Sequence, residues 1–146
     1  MKFLALLGKN LKDDDIIDVL ECSDMEVVYQ FDRSHENAPD TYWSDAKNSG
    51  FQLCFDSDQV LEVIFLYAAP IDGFSALDRA DCDISFFQSI SDAEAYAASK
   101  GLDCARGRAT FLEVSREWTR IEQGTHSLHY EFRADKLALV TITKTT

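Results

Sequence analysis

Phe51-Gln-Leu-Cys-Phe-Asp-Ser-Asp-Gln-Val-Leu-Glu-Val-Ile-Phe-Leu-Tyr67 is the stretch on which the fold turns. Phe51, Leu53 and Phe55 alternate with Gln52, Cys54 and Asp56, the period of a half-buried strand, so the first set faces a core and the second faces away. Ser57-Asp58-Gln59 reads as a turn. Val60 to Tyr67 is then a second strand, apolar on both faces apart from Glu62, and a strand of that composition belongs in the middle of a sheet.

The pattern recurs further along. Trp43 precedes Leu53 and Phe55 as Trp118 precedes Leu128 and Tyr130, a shift of 75, and Leu61 and Val63 correspond to Leu137 and Leu139 at a shift of 76. Each half also opens with an acidic helix start, Asp13-Asp14-Asp15 in one and Ser91-Asp92 in the other. Self-similarity at half the chain length predicts one supersecondary unit used twice. The expectation is a single domain over 1–146, α+β in class. It is built as a tandem duplication of a helix plus a four-stranded antiparallel sheet, about 1–75 and 76–146, with the helices on one face. Trp43 and Trp118 are either core anchors in both repeats or exposed hot spots, and their equivalent placement favours the core, which turns Tyr42 outward.

The flanking elements fit that scheme. Residues 11–22 carry Ile16, Ile17 and Leu20 on one helical face, with Asp13 or Asp14 as N-cap. Met25 to Phe31 alternates as a strand, Asp32 to Asp40 is a polar loop, Thr41 to Asp45 is a strand, and Ala68 to Asp83 is a linker between halves. In the second half Ser91 caps a helix that runs to about Lys100 and stops at Gly101. A loop containing Gly107 follows, then strands at 109–114, 117–121, 126–133 and 137–143.

Composition narrows the function classes. The 146 residues are 46% hydrophobic, 12% aromatic and 27% charged, those of a folded chain that buries roughly two-thirds of its unfolded surface. Fourteen Lys and Arg against 26 Asp and Glu leave a net charge of -12, which repels nucleic acid and anionic membrane and attracts a basic protein. Cys22, Cys54, Cys82 and Cys104 are spaced 32, 28 and 22 apart with no C-x-x-C pair, the usage of a reducing cytoplasm. The apolar run Phe3 to Leu7 is shorter than a signal-peptide core, and no stretch has the length of a membrane span, so a cytoplasmic protein is expected.

Catalytic constellations are missing from the pattern. His126 and His129, three apart on a strand, point to opposite faces and cannot chelate together, and His35 lies in the polar loop. Asp13-Asp14-Asp15 sits where a cap is needed, and Asp56-Ser57-Asp58 lacks the glycine and later oxygen ligands of a calcium loop. No phosphate-binding, nucleophile-elbow or zinc-protease motif occurs. No cofactor, metal or catalytic residue is expected, and a small enzyme ranks below a binding protein.

Helix-then-four-strands used twice, with a Trp opening a strand ahead of Leu-x-Phe or Leu-x-Tyr, resembles the beta-lactamase inhibitory protein and small outer-membrane assembly lipoproteins. Gly50-Phe51-Gln52-Leu53-Cys54-Phe55-Asp56, Ile64-Phe65-Leu66-Tyr67 and Leu128-His129-Tyr130-Glu131-Phe132 resemble segments of bacterial immunity proteins that accompany polymorphic or contact-dependent toxins. That resemblance implies a cytoplasmic antitoxin: a monomer that binds one protein toxin one-to-one and blocks it. The charge fits a basic, nuclease-like toxin met through an acidic surface. Outward residues expected to make the contact are Tyr42, Asp45, Asp56, Asp58, Glu62 and Glu131. The alternative is an acidic secretion chaperone that cradles an effector, as a dimer with an exposed apolar groove.

Overall fold

The hairpin read from the sequence is present. β3 (Phe51–Phe55) and β4 (Leu61–Tyr67) pair antiparallel with Phe51 opposite Leu66 and Leu53 opposite Ile64, and the register slips by one residue beside Cys54. In the computed structural model, which describes residues 1–30 and 39–145, this hairpin is the middle of one sheet. The other elements are α1 (Phe3–Leu6), α2 (Asp14–Cys22), β1 (Val27–Gln30), β2 (Thr41–Ala46), α3 (Ile90–Ser99), β5 (Cys104–Phe111), β6 (Val114–Glu122), β7 (His126–Arg133) and β8 (Lys136–Lys144). Among the described residues the eight strands form a single antiparallel sheet in the order β1-β2-β3-β4-β8-β7-β6-β5. β4 is central, as its apolar composition requires, and it meets β8 from Val63 opposite Thr143 to Tyr67 opposite Leu139.

Among the described residues the three helices cover the same face. Phe3 and Leu6 of α1, Ile16 of α2, and Ile90, Ala93 and Ala97 of α3 join one buried cluster with Phe51, Leu53, Phe55, Leu61, Ile64 and Leu66. Ile121, Leu128, Tyr130, Phe132, Val140 and Ile142 complete it from the far half of the sheet. Full burial of a Leu, Ile or Phe contributes about 1.5–3 kcal/mol, so this cluster is what holds helices to sheet. Ala93 and Ala97, 0% and 1% exposed, let α3 sit close to the strands. The buried Tyr130 hydroxyl donates to the Ser85 carbonyl at 2.7 Å, which spares it the cost of an unpaired polar group. Asp13 caps α2 as expected, accepting from the Asp15 amide.

Five expectations about the fold need correction. The fold is α+β, but it is not a tandem duplication of a helix plus four strands. The sequence shift of 75 would set Trp118 opposite His129, as Trp43 is opposite Cys54, whereas Trp118 is opposite Glu131. The edge strands differ too, four residues in β1 and eight in β5, and α1 has no counterpart in the second half. Common strand residues at hairpin spacing produced the internal similarity without an equal register.

The cap of α3 is Ser89, two residues before the one expected, and it accepts from the Asp92 amide at 3.2 Å. Gly107 lies inside β5 and not in a loop, because the Trp118 ring lies across it, leaving no room for a Cβ. The turn that follows is Leu112-Glu113, two residues with φ of 49° and 66°, inside the span expected to be a strand.

The segment after β4 is no free linker. Phe74 and Leu77 are buried, Phe74 stacks on Tyr67 at 4.0 Å, and the Ser75 and Leu77 amides donate to the Lys47 and Tyr67 carbonyls at 2.8 Å. Gly50, at φ +78°, admits this segment: a Cβ there would meet the Ser75 carbonyl oxygen at 2.4 Å. The expected loop over Asp32–Asp40, with His35, falls almost wholly in 31–38, outside the described residues.

Candidate functional site

Side-chain alternation leaves the other face of the sheet without a helix among the described residues. Tyr42, Ser44 and Ala46 of β2 stand opposite Phe55, Leu53 and Phe51, so they share the helix-covered side and Thr41, Trp43 and Asp45 share the open one. By the same alternation the open face receives Gln52 and Cys54 from β3, and Val63, Phe65 and Tyr67 from β4. From the far half come Leu139, Thr141 and Thr143 of β8, Ser127, His129, Glu131 and Arg133 of β7, and Arg116, Trp118 and Arg120 of β6.

Both tryptophans are therefore on the open face, a correction to their expected place in the core. Trp43 stacks on Phe65 at 6.0 Å and 16°, and its Nε1 donates to Thr41 Oγ1 at 2.9 Å. Trp118 stacks on His129 at 5.1 Å and 25°. The two tryptophans are five strands apart, about 24 Å at ordinary strand spacing, and Val63, Thr141 and Leu139, all half-buried, lie between them. Aromatic rings of this kind give large contact area at small entropic cost.

At the β1 end the open face deepens into a groove of 680 Å³. Its walls are the α2–β1 connection, with Asp24 and Glu26, the open side of β1 and β2, with Val28, Trp43 and Asp45, and the β2–β3 turn at Lys47-Asn48-Ser49. Asp45 Oδ1 accepts from Gln52 Nε2 at 2.6 Å. None of Asp24, Glu26 and Asp45 has a cation within ion-pair distance among the described residues. The opposite end is electrically closed. On the open face Glu131 pairs with Arg133 at 2.9 Å and Glu122 with Arg120 at 2.8 Å. A uniformly acidic platform is thus not what the sheet presents: its acid is concentrated at the β1 end.

The six residues singled out from the sequence do not form one patch. Asp45 lies in the groove, and Glu131 lies on the same face four strands away, about 19 Å, already paired with Arg133. Asp56 and Asp58 belong to the β3–β4 turn, where Asp56 Oδ1 accepts from the Asp58 and Val60 amides at 2.9 Å, a structural task. Asp58 offers its carbonyl to Asn10 Nδ2 at 3.1 Å. Glu62 follows at the strand irregularity, where burial, and then the Asp56 carboxylate, raise its pKa. Tyr42 is on the helix side, half-buried against the core and in ring contact with Tyr29 at 5.0 Å, and so does not point outward beside the acids. Phe65, Asp24 and Glu26 are not among the residues expected from the sequence to make the contact, and neither are Trp43, Trp118 and His129. The signal for them is the apolar run Val63, Phe65, Tyr67 on the face opposite Phe51 and Leu53, a pattern that burial alone also produces.

Burial holds the Cys54 thiol up at about 11, helped by Glu62 and Asp56, so it is a poor nucleophile. Burial lowers the pKa of His129 and of His126, which favours neutral imidazole at the open face and at the end of β7. Among the described residues no three His, Cys, Asp or Glu side chains come together to hold a metal ion, and no helix is long and apolar enough to cross a membrane. Compared with known proteins, the chain matches no family model, no curated protein and no solved structure.

Proposed function

We propose that this chain is an immunity protein, a stoichiometric antitoxin that binds one protein toxin through the open face of its sheet and covers the toxin's working surface. The observation that carries the reading is a sheet face that no helix among the described residues covers, with two aromatic stacks, Trp43 on Phe65 and Trp118 on His129. Rigid, half-exposed rings spread over one broad face are the anchors of a protein interface more than the lining of a substrate pocket. The net charge of -12 supports a basic partner, such as a nuclease-like toxin, through faster association. The cytoplasm is where such a toxin would be met.

The test is made on the product of the reading frame beside this chain's gene. Expected are a one-to-one complex by light scattering, restored growth on co-expression, and weakening by about 2 kcal/mol on Trp43→Ala or Trp118→Ala. Unrelieved growth arrest, or a complex indifferent to both substitutions, would remove the reading.

A secretion-chaperone reading draws on different residues. Val27, Val28 and Leu112 are exposed at 37%, 53% and 81%, apolar surface of the sort a second protomer or an export segment would cover. A constitutive dimer on a sizing column favours that reading over the inhibitor.

A further inference from the structure

The groove at the β1 end differs from the rest of the sheet, since among the described residues its carboxylates have no cation within ion-pair distance, although Lys47 lines the groove, while those at the β6–β7 end have them. Asp24 and Glu26 stand on one wall, Asp45 on the floor and Trp43 beside it, and Val28, 53% exposed, forms the rim. Among the described residues no strand lies beyond β1. The Trp43 ring can take a guanidinium on its face while carboxylates bind the guanidinium edge, the pairing that arginine makes and that lysine makes less well. A second copy of this chain is a poor occupant, because it would bring the same acids to Asp24 and Glu26.

We infer that this groove is a subsite for an extended, arginine-bearing segment of a protein partner, laid alongside β1 with a guanidinium on Trp43. The inference rests on the reading of this chain as a binder of basic proteins, and it assigns the part of the partner that is held and the place that holds it. Alternate residues of an extended segment project to one side, so arginines at every second position would reach Trp43, Asp45 and Glu26 together.

The probe is an Arg-Val-Arg-Val-Arg-Val-Arg peptide, with all-lysine and all-glutamate counterparts, titrated into the Trp118→Phe protein so that Trp43 is the reporter. A saturable Trp43 response is expected with the arginine peptide, a weaker one with lysine and none with glutamate. Joint Asp24→Asn, Glu26→Gln and Asp45→Asn should weaken binding about tenfold or more. The control is Asp14→Asn, Asp18→Asn and Glu21→Gln on α2, which changes net charge equally and should leave binding within about twofold. Equal losses in the two triple variants would mean diffuse charge attraction and overturn the inference. So would the absence of any saturable response below about 1 mM peptide. Either result, with a toxin complex still sensitive to Trp118→Ala, would sink the groove assignment and leave the inhibitor reading standing.

Discussion

Gly107→Ala isolates one contact on the open face. The backbone there is ordinary strand, so an alanine is not strained by φ, and the whole effect comes from its Cβ. That atom would lie 2.3 Å from Cε2 and Cζ2 of Trp118 and 2.5 Å from Nε1, where ordinary contact begins at 3.4 Å. The indole must therefore retreat by about 1 Å, a shift that disturbs its stack on His129. Forcing a methyl into filled space costs about 1–3 kcal/mol, and the gain from replacing glycine within a strand is about 0.5–1 kcal/mol. Taken between the middles of the two ranges, the net is a loss of about 1 kcal/mol. Urea titration gives the stability, and Trp118 emission in a Trp43→Phe background gives the ring position. Adding Trp118→Phe should relieve most of the loss, because the smaller ring vacates the space, and the double-mutant cycle measures that coupling. A Gly107→Ala protein as stable as the parent, with unchanged emission, would refute the packing of the indole over β5.

Three further outcomes are expected. Burial holds the folded pKa of His129 below its ordinary 6.5, so its stabilising contribution is complete above pH 6.5 and is lost as pH falls through the folded value. Urea midpoints should drop from pH 7 to pH 5 less steeply in His129→Gln than in the parent, and equal slopes would contradict the buried neutral ring. Iodoacetamide should label exposed Cys22 and Cys104 well before Cys54, whose thiol sits at about 11, as peptide mapping over time will show; early Cys54 labelling would contradict its burial. Leu112→Asn with Glu113→Gly places the residues preferred for positive φ at the β5–β6 turn and should raise stability by about 1 kcal/mol in thermal unfolding, with no gain if the turn is not of this type.

Much of the fold was legible because period-two patterning is a local signal. Phe51, Leu53 and Phe55, and likewise Leu128, Tyr130 and Phe132, face the helices as their alternation predicts, and the apolar β4 is central. What alternation does not encode is which strand pairs with which residue opposite. The register of β6 on β7 is set two residues away from that of β2 on β3, and the resemblance between halves concealed it. Trp43 was misplaced for a related reason. An aromatic in a strand signals packing without saying whether against a helix or against another ring on the open side, and here Phe65 is the answer. The acidic groove was illegible because Asp24 and Glu26 meet Asp45 only once β1 has paired with β2, so only one of its three carboxylates was chosen from sequence.

The seam between β4 and β8 has a consequence for biosynthesis. As the polypeptide emerges from the ribosome, β4 can dock on β3, but its other side stays bare until residues 136–144 have cleared the exit tunnel. Through that interval Leu61, Ile64 and Leu66, wholly enclosed in the mature protein, border an unfinished ladder that invites pairing with neighbouring nascent chains. Slowing translation across the intervening codons should therefore lower soluble yield, and nascent-chain holdases should engage this protein most strongly just before its eighth strand appears.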